Sequence, residues 1–241
     1  GVLKAGAPAV IARQKEEAMA AIERRAADVH ARLTVLGVDF DAWTERGGMA
    51  FQTADLFMDL PAPTLAGAHQ IDNAALAVAA AIELDLPEAA IAEGLRTVRW
   101  PARLQRLSAG PYGEAARAAE AELWLDGGHN PHAGRALAAF LAERQARAPR
   151  PLGLICGMLA NKDAGGFFAA LKDSHATVFT VGFDGAAADP ASLAAVARGH
   201  GLAATPAGSV GEALDLALRL GAGRVAICGS LYLAGEVLGA S

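Results

Sequence analysis

Asp126 and His129 stand in the stretch Glu122-Leu123-Trp124-Leu125-Asp126-Gly127-Gly128-His129-Asn130-Pro131, where an apolar, strand-like run stops at a carboxylate. A carboxylate placed there can hold a ribose hydroxyl or a metal-bound water, and the histidine can donate to an oxyanion or carry a proton near neutral pH. The competing structural reading makes Asp126 a turn former and His129 a partner for a backbone carbonyl. Asn130 has the character of a helix N-cap, and Pro131 suits the first helical position because it has no N–H to leave unpaired. The N–H groups still free at such a helix start favour an anion nearby. His129 and His132 have no further ligands around them, so no metal site is expected in this segment.

Four other segments carry candidate chemistry. In Pro101-Ala102-Arg103-Leu104-Gln105-Arg106, the Arg103 guanidinium can reach a phosphate as a bidentate fork, or it is simply a solvated surface arginine. In Gly67-Ala68-His69-Gln70-Ile71-Asp72-Asn73-Ala74, Asn73 can present its amide to a purine edge, although Asp72 or Asn73 can equally be a helix cap. Lys162, in Gly157-Met158-Leu159-Ala160-Asn161-Lys162-Asp163, is either an anion contact or an exposed lysine paired with Asp163. Ser230, in Gly229-Ser230-Leu231-Tyr232, either binds a carboxylate at the start of the last helix or serves as its N-cap.

These residues need a scaffold, and its pattern is legible. Pro8, Val10 and Ile11 suggest a short strand, and residues 14–33 carry apolar residues at helical spacing. Residues 34–60, punctuated by Gly37, Gly47 and Gly48, read as small strands and hairpins. A helix is expected over 71–84, and Pro87 opens another that ends near Gly94. Trp100-Pro101 marks a domain junction, dividing the chain at 1–98 and 99–241. Beyond it, strand-like runs at 123–125, 152–157, 177–182 and 225–228 alternate with helical stretches at 132–147, 167–172, 191–200 and 210–220. Such alternation predicts an α/β fold with a mainly parallel sheet, and continuous apolar strands fit burial on both faces. Residues 103–107 can add an edge strand, while 110–121, rich in glycine and alanine, read as a loose loop. Strands ending at Asp126, Gly157 and Gly229 would bring their loops to one carboxyl edge, where open α/β sheets bind ligands.

Composition narrows the class of function. The 241 residues are 53% hydrophobic and 20% charged, enough to bury a core and contrary to disorder. A formal charge of −5 without a basic cluster gives no footprint for nucleic acid or an anionic membrane surface. No apolar run approaches the roughly 20 residues that span a bilayer, and no secretory signal is visible. Cys156 and Cys228 have no ligand-like spacing, which suggests buried reduced thiols in a reducing, cytoplasmic setting. The start at Gly1 rather than methionine is compatible with a processed or truncated chain. With no exposed heptad or long apolar stripe, a monomer is expected.

Taken in order, these segments resemble the folylpolyglutamate synthase and dihydrofolate synthase family of the ATP-dependent Mur ligase superfamily. The resemblance runs through Lys4-Ala5-Gly6-Ala7-Pro8-Ala9-Val10-Ile11, Gly67-Ala68-His69-Gln70 with Asn73-Ala74, and Pro101-Ala102-Arg103-Leu104-Gln105. It continues through Asp126-Gly127-Gly128-His129-Asn130-Pro131, Gly157-Met158 with Lys162-Asp163, and Gly229-Ser230-Leu231-Tyr232. It implies that residues 1–98 are the end of a central ATPase domain and 99–241 a Rossmann-like carboxyl-terminal ligase domain. In that family ATP converts a folate or pteroate carboxylate to an acyl phosphate, the amine of L-glutamate attacks, and phosphate leaves; magnesium bridges the phosphates. By the same resemblance Asn73, Arg103 and Asp126 contact the nucleotide, and His129 and Ser230 serve the incoming amino acid, His129 also as a catalytic group.

The sequence departs from the family in one respect that matters. No G-x-x-x-x-G-K-[ST] phosphate loop occurs, and the magnesium ligands are expected in an upstream part, so the chain alone is not expected to catalyse ligation. Gly128 stands where many relatives carry alanine, with the spacing from Asp126 to His129 intact. Asp126→Ala is expected to keep the fold and weaken ATP use. Two further readings stay open: a ligase acting on peptidoglycan precursors, and a non-catalytic nucleotide-binding or interaction module.

Overall fold

A computed structural model describes residues 2–240. The chain divides into two compact units, Gly1–Arg99 and Trp100–Ser241. The first unit begins with β1 (Ala9–Ile11), α1 (Glu16–Val29) and β2 (Leu33–Val35), in which β1 and β2 pair in parallel. The helix expected through residue 33 therefore stops earlier. His30 adopts a left-handed conformation with φ 51°, and the β-branched Thr34-Val35 pair is drawn into the ladder with Val10 and Ile11. Next comes an antiparallel meander of β3 (Phe40–Glu45), β4 (Gly48–Thr53) and β5 (Phe57–Pro61). Its first turn places Arg46 and Gly47 at φ 49° and 84°, the two-residue geometry whose twist suits a hairpin. Helices α2 (His69–Glu83) and α3 (Glu88–Thr97) share a core with the meander built on Phe40, Met49, Phe51, Leu60, Val78 and Leu95. Because α2 starts at His69, Asp72 and Asn73 lie inside the helix rather than capping it.

The second unit is a six-stranded sheet. Its strands are β6 (Gln105–Leu107), β7 (Glu122–Leu125), β8 (Leu152–Cys156), β9 (Thr177–Thr180), β10 (Ala203–Pro206) and β11 (Arg224–Cys228), in the order β10-β9-β8-β11-β7-β6. All pairs are parallel except β6 with β7, so the predicted edge strand runs antiparallel. β8 and β11 are buried at every residue, as expected of central strands covered on both faces. On one face α4 (Gly110–Ala118), α8 (Val210–Arg219) and α9 (Leu231–Gly239) pack on Leu125, Ile155, Phe179 and Ile227. On the other, α5 (Pro131–Arg147), α6 (Ala164–Leu171) and α7 (Pro190–Gly199) form a continuous layer, with Phe140 of α5 meeting Trp124 edge to face at 4.8 Å.

Two expectations change here. The supposed loop over 110–121 contains α4, whose small residues give no apolar stripe to read but allow close packing. A Cβ on Gly113 would lie 2.8 Å from the Ser108 carbonyl carbon, and Ala116 is fully enclosed. Strand β10 was not anticipated, because Ala203-Ala204-Thr205-Pro206 is short, largely exposed and poor in strand-forming residues. Its carbonyl at Ala204 accepts a hydrogen bond from Arg198 at 2.8 Å. Among the described residues, no helix is long and apolar enough to cross a membrane.

The amino end of the sheet buries a charge. Arg224 opens β11 with 1% of its side chain exposed; its Nε donates to Glu122 Oε2 at 2.8 Å, and its other nitrogens reach Gln145 Oε1 and the Ala148 carbonyl. Burial pushes the Glu122 carboxyl up. Hydrogen bonds from Arg224 and Trp124 and the charges of Arg224 and Arg106 outweigh that push, and hold it below its ordinary value. A depressed carboxylate stabilises the fold above its unfolded value, about 4.3, and loses that contribution as the pH falls through the lower folded value. Arg224→Met is expected to cost about 2 kcal/mol, short of a fully buried pair because Glu122 keeps some solvent. Denaturant titrations at pH 7 and pH 3 check this. Glu122→Gln should be weaker than the parent at pH 7, and the gap should narrow at pH 3; a gap that does not change with pH contradicts the assignment.

Candidate functional site

Helices α5 and α6 leave β7 and β8 toward one face, whereas α9 leaves the intervening β11 toward the other. Neighbouring strands whose connections diverge open a crevice beyond their carboxyl ends, the place where α/β sheets take ligands. The three loops at this edge are tied together. Asp126 N–H donates to the Ile227 carbonyl at 2.9 Å, Gly229 N–H to Gly128 at 3.1 Å, and Gly157 N–H to Cys228 at 3.1 Å. Gly229 has φ +103°, and a Cβ there would lie 2.6 Å from the Gly157 oxygen and 2.9 Å from Cys156 Sγ, so only glycine fits.

Asp126 is 9% exposed, and each of its oxygens is engaged. Oδ1 accepts from Gly128 N–H at 2.8 Å and Oδ2 from Leu104 N–H at 3.0 Å. An alanine at 128 would put its Cβ 2.6 Å from both Asp126 Oδ1 and Ala133 Cβ, so Gly128 suits this carboxylate geometry. Because Leu104 follows Arg103, the aspartate links the Asp126–His129 turn to the arginine loop. Arg103 itself is exposed and has no hydrogen bond or ion pair with the described residues.

His129 Nδ1 lies 3.0 Å from the Gly127 carbonyl. A carbonyl only accepts, so Nδ1 carries the hydrogen, and Nε2 of the neutral ring keeps a lone pair with no partner among the described residues. Asn130 Oδ1 accepts from Ala133 N–H at 2.9 Å and Pro131 occupies the first turn, so the predicted cap is formed. Ser230 is 3% exposed and caps α9, its Oγ accepting from Tyr232 N–H at 3.1 Å; the hydroxyl hydrogen remains a donor. Lys162 does not pair with Asp163, which instead caps α6 through Gly166 N–H at 2.8 Å. His132 is exposed on α5, and no group of three metal-ligating side chains occurs among the described residues.

Cys156 and Cys228 are register partners on β8 and β11, both free and buried. Hydrogen bonding with Cys156, burial and the Asp126 charge all push the Cys228 thiol up, so it stays protonated and inert. In the other unit, exposed Asn73 donates its amide to Gln70 Oε1 at 2.9 Å, and Gln70 Nε2 meets His69 Nε2 at 3.0 Å. Two cavities of the second unit, of about 430 and 620 Å³, are lined by neither Arg103, Asp126, His129 nor Ser230. The motif residues instead occupy an open sheet edge. The bond from Leu104 to Asp126 is not legible in the sequence, whose only signal is that both residues belong to recognisable segments.

The buried carboxylate adds a structural cost to the substitution considered from sequence. Removing a charged acceptor from two backbone donors is expected to cost about 2–3 kcal/mol. Asp126→Ala should therefore lower the unfolding midpoint of the second unit and deprotect the Leu104 amide in hydrogen exchange; an unaltered midpoint with a protected amide contradicts this.

Residues 114–231 match the family described as Mur ligase, glutamate ligase domain. The folylpolyglutamate synthase of Lacticaseibacillus casei is 28% identical over 194 residues, covering 75% of this chain and 42% of that protein. The crystal structure of a bifunctional folylpolyglutamate synthase/dihydrofolate synthase from Yersinia pestis, complexed with AMPPNP and Mn ion, is similar with a TM-score of 0.78 at 27% identity. It covers 100% of this chain and 54% of that one. Escherichia coli FolC in complex with DHPP and ADP gives a TM-score of 0.77 at 25% identity, over 99% and 54% of the two chains. The chain thus spans about half the length of these relatives. Residues 114–231 thus carry a Mur ligase glutamate ligase domain, and the chain is similar over most of its length to part of folylpolyglutamate synthases.

Proposed function

We propose that this chain is the carboxyl-terminal half of a cytoplasmic, monomeric ATP-dependent ligase that joins L-glutamate to dihydropteroate, to folates, or to both. The observation that carries the reading is the single sheet edge on which Asp126, His129 and Ser230 meet, with the Asp126 carboxylate holding the Arg103 loop. Residues 1–98 form the end of a central ATPase domain in this reading, and 99–241 the ligase domain. In support, β1 and β2 are only three residues each, and a two-stranded parallel sheet is normally part of a larger one. Asn73, Arg103 and Asp126 contact ATP. His129 and Ser230 receive the amino acid.

The chemistry proceeds by transfer of the γ-phosphoryl group to the pterin-side carboxylate, attack of the glutamate amine on that acyl phosphate, and loss of phosphate to leave an amide. Arg103 offers the phosphates an unpaired guanidinium, a charge-assisted fork of the kind that recognises phosphate bidentately. His129 Nε2, oriented by the Nδ1–Gly127 contact, has the free lone pair needed to take a proton from the glutamate ammonium. Ser230 presents its hydroxyl donor to the amino-acid carboxylate. Among the described residues no three His, Cys, Asp or Glu side chains are gathered to hold a metal ion, and in this reading the magnesium ligands come from the other half.

The test uses the complete protein, amino-terminal half included, with ATP, magnesium, dihydropteroate and L-glutamate. Glutamate-dependent ADP release is expected; its absence in a folded protein sinks the ligase reading. The chain by itself should release no ADP. Arg103→Ala in the complete protein should lower kcat/KM for ATP about 10- to 100-fold, the scale of one charge-assisted contact.

A further inference from the structure

Arg103 sits between two residues of unusual backbone. Ala102 has φ 57° and Leu104 φ 46°, both in the left-handed region that side chains with a Cβ disfavour. Strain of this kind persists only where the surroundings over-determine it, and it gathers at sites that must hold a geometry. Three hydrogen bonds hold it here. Ala102 N–H donates to Gln105 Oε1 at 2.9 Å, Gly127 N–H donates to the Ala102 carbonyl at 2.8 Å, and Leu104 N–H donates to Asp126 Oδ2 at 3.0 Å. The Ala102 and Leu104 side chains are 3% and 4% exposed, so the residues on either side of Arg103 are anchored inward. Of these three residues Arg103 alone is exposed, and it has no partner among the described residues.

We propose that Gln105 is a positioning residue for Arg103: its amide oxygen holds Ala102 in the left-handed conformation, and this fixes the direction in which the guanidinium leaves the loop. Gln105 is well placed to do so because its backbone is pinned in β6 opposite Leu125, immediately before Asp126. Its side chain therefore ties the strained residue to the same strand pair that ends at the carboxylate. Without the amide oxygen, the buried Ala102 N–H loses its acceptor, and the loop relaxes toward ordinary negative φ. The guanidinium then samples several directions and loses the benefit of being held ready. The inference rests on Arg103 serving ATP, as proposed above.

The experiment compares Gln105→Met, Gln105→Glu, Arg103→Ala and the Gln105→Met/Arg103→Ala pair in the complete protein. Two readouts are taken: steady-state kinetics for ATP and for L-glutamate, and the rate of trypsin cleavage after Arg103 followed by mass spectrometry. Gln105→Met should lower kcat/KM for ATP about fivefold, the scale of one hydrogen bond, and leave the KM for L-glutamate unchanged. Gln105→Glu keeps an acceptor oxygen and should restore most of the loss. On the Arg103→Ala background Gln105→Met should add less than about a twofold change, since a positioning residue has nothing left to position. Cleavage after Arg103 should be faster in Gln105→Met. Equal losses in the presence and absence of Arg103, failure of Gln105→Glu to rescue, or unaltered cleavage overturns the proposal. If the intact protein shows no ATP-dependent ligation, the functional reading has failed and the kinetic role of Gln105 falls with it. Unaltered cleavage in an active enzyme overturns the clamp alone.

Discussion

The carboxylate of Asp126 is the interaction on which the rest of the carboxyl edge depends. It lies at the end of a strand, mostly removed from water, and gives one oxygen to its own turn and the other to a loop 22 residues earlier. A buried carboxylate without donors would be costly, whereas one that accepts two backbone N–H groups is stable and directional. The geometry therefore favours the loop and the turn together. Movement of either would strand a charge or a backbone donor. Chemistry that needs an arginine beside an aspartate–histidine turn is served by this coupling, because the partners are registered by the fold before any ligand arrives.

The same strand anchors the opposite end of the sheet. Glu122 begins β7 and binds Arg224, while Asp126 follows its last residue. A separation of four residues places both carboxylates on one side of the pleat, with Trp124 between them under the guanidinium of Arg144 at 4.6 Å from its ring. Strand β7 is thus fixed at both ends by charged hydrogen bonds and in its middle by aromatic packing. The loop that carries the proposed chemistry grows from a strand with little freedom to slide.

Local signals and long-range contacts were unequally visible in the sequence. Runs such as Leu154-Ile155-Cys156 and Ala226-Ile227-Cys228 are apolar without alternation, and that alone announces central parallel strands. Asn130-Pro131 announces a helix start because capping chemistry is local. By contrast, α4 hides in alanine and glycine, whose value is close approach rather than hydrophobic periodicity. Arg224 reads as a charge at a strand end until Glu122, 102 residues away, is found beside it. The candidate site divides the same way. Asp126, His129 and Ser230 could be placed at one edge from loop positions, but the partners of their hydrogen bonds could not. Ser230 combines its two readings, since a cap accepts with its oxygen and leaves its hydrogen to donate.

Strand β10 ends the parallel array, and its outward side has few groups to offer another chain. Ala207 N–H turns inward to Thr180, so the alternation of the strand sends the polar groups of Ala204 and Pro206 outward. Arg198 already occupies the Ala204 carbonyl, and proline has no N–H. A second chain arriving to extend the sheet would find one donor and a guanidinium in its way, a poor template for strand addition. The weak β-forming character that made this strand hard to foresee is the property that lets the sheet end in water without recruiting a neighbour.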